Sequence, residues 1–378
     1  MEKDNIRDGI ALSLSGGGFR ATLFHVGALW RLNELGYLKD IKRICSVSGG
    51  SITAGYLGYK WKDLKFDQKG VASNFTKQVV NPLKKFCSLN VDFPSILGGW
   101  LSILKTPSDL LEKKYNRFLF KDATLQDLPT DKEGPRFIIY ATSLQTGVSV
   151  RFSKPYIGEY HLGTLKNPEI LLAKAVAASS AFPPVLTPLL LETKPDEWQK
   201  QKGADLYDKK FLRKRMYLTD GGVYDNLALE AAWNFETVLV SDAGAPFEPK
   251  LRPWILKYSQ LKKMLRVLEI TIEQTRALRK RWLIKDLNNK ERKGTYWGIS
   301  TDIDDYKLDD PMVHDNNITD SMQKLPTRLC PFSKKDKGRL INWGYALADA
   351  AMRRWVLKPG TPKGDWPEPK YPLDQDCN

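Results

Sequence analysis

Three short runs carry residue types that could do chemistry together. Ser46-Val47-Ser48-Gly49-Gly50 places a serine between a run suited to a strand and a run suited to a helix. A serine on such a sharp turn projects its hydroxyl outward, and small neighbours let the helix pack on the strand. The helix N-terminus then offers N–H groups and a positive dipole end to a developing oxyanion. The usual pattern is Gly-x-Ser-x-Gly, and here Ser46 stands in the first glycine's place. In Ser15-Gly16-Gly17-Gly18-Phe19-Arg20, three successive glycines allow positive φ and close approach of backbone N–H groups to a ligand. That suits a phosphate cradle or an oxyanion hole. A P-loop would need Lys-Ser or Lys-Thr next, which is missing. A dinucleotide turn fits only with Ala21 as its last small residue, and the following strand runs into serines instead of a ribose-binding acid. The oxyanion hole remains, with Arg20 bracing the loop or meeting a phosphate. The third run, Asp220-Gly221-Gly222, presents a carboxylate on a turn. Each run taken singly also reads as an ordinary structural turn.

A serine hydroxyl needs a base to become a nucleophile. Ser48, Asp220 and His314 follow the chain order of an α/β-hydrolase triad, although His314 lies in an acidic polar loop. His25 falls in the helix after the glycines, and His161 in a tyrosine-rich stretch. The alternative is a Ser–Asp dyad in which the carboxylate takes the proton itself. An aspartate ordinarily ionises near ~4, so it would have to be raised by burial beside Ser48. On these residues alone, triad and dyad both stay open.

The elements that must position these residues follow from periodicity. Ile10–Leu14, Ile41–Val47, Phe137–Thr142, Met216–Thr219 and Val238–Ser241 read as strands. Leu23, Val26, Leu29, Trp30 and Leu35 recur at helical spacing, and a second helix starts near Ser51. Strand, glycine turn, helix and strand again predict an α/β fold with a mostly parallel sheet. Residues 60–130 are lysine- and aromatic-rich and read as a cap insertion. Within them, Phe93–Leu104 carries no charge, which suits either a buried element or an apolar, membrane-facing flap.

The 378 residues, 42% hydrophobic and 27% charged, exclude disordered, collagen-like and disulfide-scaffold classes. The first ten residues have no apolar core of a secretory signal. The longest charge-free run, Ala175–Leu191, is broken by Pro183, Pro184 and Pro188. Four scattered cysteines show no disulfide or metal spacing. A cytoplasmic protein is expected. The net charge is +15, and residues 250–293 hold fourteen Lys or Arg against four Asp or Glu. Leu261, Leu265, Leu268 and Ile272 give that segment an apolar helical stripe. The excess charge favours an anionic partner. We expect one elaborated domain over 1–358, with a core at about 9–245, a basic helical extension at about 250–358 and a Pro-rich tail, 359–378.

In that order, Ser15-Gly16-Gly17-Gly18-Phe19-Arg20, Ser46-Val47-Ser48-Gly49-Gly50 and Asp220-Gly221-Gly222 resemble the patatin-like phospholipases. Ala141-Thr142-Ser143-Leu144-Gln145-Thr146-Gly147 and Ala178-Ser179-Ser180-Ala181-Phe182-Pro183-Pro184 support the likeness, which covers about residues 9–245. Ser15 stands where the family's glycine loop often begins with Asp. The resemblance implies a three-layer α/β/α fold and a Ser–Asp dyad, without a cofactor or metal. Ser48 would be the nucleophile and Asp220 the base. The oxyanion hole would be Gly16, Gly17 and Gly18, with Gly16 shaping the loop, and Arg20, Gly50 and Gly222 would support the site. The implied reaction is hydrolysis of a glycerophospholipid ester, with acyl transfer to an alcohol as the quieter variant.

Membrane phospholipids are then the expected partner, met at the inner membrane face by peripheral association. The sequence is also similar to bacterial patatin-like effectors of antiphage signalling, which implies a cyclic di- or trinucleotide activator. The basic 250–293 segment could hold its phosphates, or could be an amphipathic helix with a solvated basic face. A different class is a nucleotide or nucleic-acid binder with an idle hydrolase core, stacking bases on Lys280-Arg281-Trp282 or Tyr296-Trp297. Chromosomal DNA is not the expected partner, and a homo-oligomer is compatible with the sequence.

Overall fold

The computed structural model describes residues 6–91, 106–184, 186–249 and 259–374. The Phe93–Leu104 flap lies outside them. The centre is a run of five parallel strands in the order β11-β10-β1-β2-β3. These are β1 (Arg7–Leu14), β2 (Ile41–Ser46), β3 (Arg136–Ser143), β10 (Phe235–Asp242) and β11 (Lys293–Gly298). Their near-continuous apolar runs are what a strand covered on both faces requires.

The centre of the sheet is parallel, as expected, and the eleven-stranded sheet as a whole is mixed. Beyond β3 it continues antiparallel through β4 (Ser149–Phe152), β5 (Tyr156–Glu159), β6 (Gly163–Lys166) and β8 (Trp198–Gln199). β7 (Leu189–Glu192) and β9 (Arg215–Asp220) branch from β3, also antiparallel. The turns joining β3 to β6 in sequence are too short for a crossover, so each strand must return beside its predecessor.

Six α-helices of eight or more residues flank this sheet among the described residues: α1 (Gly18–Glu34), α2 (Gly49–Lys60), α3 (Pro107–Tyr115), α4 (Leu172–Ser179), α5 (Gln260–Asn288) and α6 (Lys334–Trp355). Alternate strand residues divide the core in two. Leu12, Ile44, Ile139, Leu239 and Trp297 face one side with α1, α2, α4 and α6. Ala11, Cys45, Ile138, Val240 and Tyr296 face the other, against the 227–235 segment and Leu283 of α5. This is the expected three-layer α/β/α arrangement. No described helix is long and apolar enough to cross a membrane.

The C-terminal third is built into the core. β11 pairs with β10, and Trp343 of α6 donates to the Ile299 carbonyl at 2.9 Å. The described part of the Pro-rich tail is non-helical and docked: Asn342 donates to the Glu368 and Tyr371 carbonyls, and Leu373 is fully buried. Trp297 is fully buried and Tyr296 nearly so, which removes them as base-stacking platforms.

Candidate active site

Register brings the two distant chemical residues together. One edge of β3 pairs first with β2, ending at Ser46↔Ile139. Because β4 occupies the opposite edge, β9 must use the same edge further on, at Ala141↔Asp220. The ends of β2 and β9 therefore meet, with Asp220 closing β9 and Ser48 on the turn that leaves β2.

Ser48 is half-buried and caps α2 with φ 50° and ψ −122°. A left-handed φ in a residue with a side chain is strained and persists only when its surroundings enforce it. Its carbonyl accepts from Ser51 and Ile52 N–H, and its own N–H donates to the Ser179 hydroxyl at 2.9 Å. The Ser51 hydroxyl lies 2.9 Å from Ser179 Oγ and donates to Ser46 Oγ at 3.0 Å. The serine in the usual glycine position thus anchors a buried hydroxyl chain beneath the turn. Gly50 is required by close packing, since a Cβ there would lie 2.5 Å from the Leu14 carbonyl oxygen.

Asp220 is buried. Its N–H donates to the Ala181 carbonyl, and Oδ1 accepts the Gly222 N–H at 2.7 Å. Oδ2 has no hydrogen-bond partner of normal geometry, and the Ser48 hydroxyl is the side chain that acts on the carboxyl. Burial pushes the Asp220 pKa up from 3.8 to about 7; the Gly222 N–H and the Ser48 hydroxyl pull the other way and only partly offset it.

The glycine loop runs between these turns. Gly16 N–H is taken by the Asn226 carbonyl at 3.2 Å, so this glycine shapes the loop. Gly17 and Gly18 adopt φ 137° and 58°, and their N–H groups donate to no described protein group. A Cβ on Gly18 would sit 2.3 Å from the Thr327 carbonyl oxygen. Arg20 is buried and donates to the carbonyls of Gln323, Leu325 and Ala243, which ties the loop to two other segments. Burial, with Arg276 nearby, lowers its pKa to about 10.

The histidines stand apart from this geometry. His25 is buried between Ser241 Oγ at 2.8 Å and the Ser15 carbonyl at 2.9 Å, and burial lowers its pKa to about 4. It is a neutral strut between α1 and the sheet. His314 lies on the surface with Nδ1 2.6 Å from Asp304, and His161 pairs with Asp205 at the same distance. Among the described residues Asp220 has no imidazole partner, which leaves the triad order without its histidine.

Two contributors were not assigned from sequence. Ser179 braces Ser48 through its hydroxyl, and its carbonyl accepts Gly221 N–H at 3.2 Å. Asn226 lies between the glycine loop and the Asp220 turn: a Cβ on Gly16 or Gly222 would come within 2.4 or 2.6 Å of its Oδ1. Ser179 falls inside a run quoted above and Asn226 four residues past the Asp220 run, but only long-range contacts give them a role.

Part of the basic segment is spent on internal pairing. Arg276 binds the buried Asp242 at 2.8 Å and also Glu273, and Arg279 approaches Asp225 at 3.5 Å. Arg266, Arg292 and Lys293 likewise have carboxylate partners.

The fold and site define a three-layer α/β protein in which a strained serine faces a buried aspartate beneath a glycine loop. A family model described as patatin-like phospholipase matches residues 12–233, and the chain belongs to that family. No curated protein sequence matches it. Human GIVD cytosolic phospholipase A2 shares the fold with a TM-score of 0.52 and 10% identity, over 93% of this chain and 62% of that one. The same human protein in complex with methyl gamma-linolenyl fluorophosphonate gives 0.50 and 14%, over 93% and 58%. The chain thus spans about three-fifths of the human protein's length.

Proposed function

We propose that the chain is a lipid acyl hydrolase of the phospholipase A type, working through Ser48 and Asp220. The observation that carries this reading is Asp220 itself: a buried carboxyl beside a strained serine, with Oδ1 held by Gly222 and Oδ2 unpartnered. Burial has tuned it to about 7, where a carboxylate becomes a useful base at neutral pH.

In the proposed reaction, Ser48 Oγ bonds to the ester carbonyl carbon while its proton passes to Asp220 Oδ2. Gly17 and Gly18 N–H groups, with the N-terminal end of α2, stabilise the oxyanion. Collapse breaks the bond to the lysolipid oxygen, which leaves with the proton from Asp220. Water then gives its proton to Asp220 and attacks the acyl-enzyme, and Ser48 departs reprotonated.

A lipid surface is the proposed partner. Along α5, Met264, Val267, Leu278 and Trp282 are exposed, and Lys262, Lys263, Arg281 and Lys285 have no ion-pair partner among described residues. An apolar stripe among cations suits the face of an anionic bilayer and peripheral association. The same cations are the remaining support for a cyclic di- or trinucleotide activator.

The test is lipid product analysis by mass spectrometry, with labelling by a fluorophosphonate, which loses fluoride when an activated serine oxygen attacks phosphorus. Wild type should release fatty acid and gain one adduct on Ser48, whereas Ser48→Ala and Asp220→Asn should do neither. Adduct formation elsewhere, or turnover by either variant, overturns the dyad. An added alcohol that collects the acyl group would identify an acyltransferase. Cyclic nucleotides in parallel arms test the activator, and equal rates with and without them would remove it.

A further inference from the structure

A second cluster of chemistry lies outside the proposed hydrolytic site. The N-terminus of α6, the short helix Asn81–Phe86 and the docked C-terminal strap border an open cleft of about 260 Å³, lined by Lys84, Lys85, Ser88, Lys334, Lys337 and Tyr371. Four lysines therefore line one small space. Glu368 of the strap pairs with Lys84, and Asp336 of α6 is turned to the Ser333 hydroxyl at 2.7 Å. Lys85 and Lys334 are exposed and form no ion pair with any described residue. Lys337 is 8% exposed, and its ammonium donates to the Ser88 hydroxyl, without a carboxylate. Burial, together with Lys84 and Lys334, lowers its pKa.

We propose that this cleft binds a small phosphate-bearing ligand, held by Lys85, Lys334 and Lys337. Gathered like charges repel unless an anion neutralises them, and the positive end of the α6 dipole adds the same sign. Lysine binds phosphate as a point charge, and Ser88 and Tyr371 supply hydroxyls. The volume falls just below the range of roughly 300–1,000 Å³ for drug-sized ligands, which points to a phosphoryl group on a small headgroup or a free phosphate. The cleft is lined by no residue of the glycine loop. The proposal goes beyond the hydrolase reading, because occupancy is measured without turnover.

The test is isothermal titration of the full chain with inorganic phosphate and pyrophosphate, and flotation with phosphatidylcholine vesicles with and without phosphatidylinositol phosphate. The variants are Lys85→Glu/Lys334→Glu and Lys334→Arg, at exposed positions outside the proposed catalytic machinery. Wild type should bind at least one of these probes, more weakly as salt rises. The double variant should bind about tenfold more weakly or worse, and Lys334→Arg should bind as wild type does. Binding of pyrophosphate alone identifies a soluble ligand, and binding confined to phosphoinositide vesicles identifies a lipid headgroup. Equal binding by wild type and the double variant, or no binding to any probe, overturns the proposal.

Discussion

The hydroxyl of Ser179 accepts the Ser48 N–H at 2.9 Å, while the Ser179 carbonyl accepts the Gly221 N–H at 3.2 Å. One residue at the end of α4 thus sets the spacing between the turn that carries the serine and the turn that carries the aspartate.

Ser179→Ala leaves the Ser48 N–H without its acceptor in a buried setting, at a cost of about 1–3 kcal/mol. As Ser179 braces the proposed nucleophile, Ser48, from beneath its turn, kcat should fall while KM stays near wild type. Ser179→Thr, which keeps the hydroxyl, should recover part of the rate. Steady-state kinetics on a soluble ester would check both.

In the proposed reaction Asp220 must be deprotonated to accept the Ser48 proton. Burial holds its folded pKa at about 7, above the ordinary 3.8. The rate kcat/KM should therefore rise about tenfold per pH unit below that value and level off above it. For stability the sign is opposite: a raised folded pKa favours the folded state at low pH, and the advantage is lost as pH rises through about 7. Asp220→Asn removes the buried charge, so it should match wild type near pH 3.8 and exceed it above 7, by up to about 4 kcal/mol. Urea titrations at both ends of that window would check the crossing.

Gly18→Ala would force a Cβ to 2.3 Å from the Thr327 carbonyl oxygen at φ 58°. The loop must shift to accept it, and the N–H that would face the oxyanion shifts with it. Loss of such a donor costs roughly 100-fold or more in kcat. Hydrolysis of a soluble ester by a variant with a native circular dichroism spectrum is the measurement.

Arg276 holds Asp242 in the core. Burial works against the Asp242 charge, yet Arg276 and the Tyr296 hydroxyl keep its pKa below the usual value. Arg276→Met strands that carboxylate, and denaturation should show a loss of about 3–5 kcal/mol. Arg276→Met/Asp242→Asn should recover much of it, because no unpaired charge is then buried.

Much of the core was legible. Strands β1, β2, β3 and β10 showed as apolar runs because both faces of a central strand are buried. α1 and α2 followed from apolar spacing after glycine turns. Less was visible at the edges. β4, β5 and β6 are only four residues long, and β11, carrying Lys293 and Gly294, begins in a basic stretch that reads as a helix. Ser48, Asp220 and the three glycines stood out because sharp turns demand unusual residues. Ser179 and Asn226 did not, because a serine or asparagine gains such a role only from what packs against it.

By itself the sequence determined which side chains could react and that glycine turns between strands and helices would present them. Tertiary structure decided the rest. Only the shared edge of β3 sets Asp220 beside Ser48 across more than 170 intervening residues. Only burial turns an ordinary carboxyl into one that ionises near neutrality, since desolvation depends on what surrounds a group and not on its neighbours in the chain. The charge followed the same rule. Some of the cations of residues 250–293 are paired with carboxylates of other segments, while lysines from two distant segments converge on one cleft.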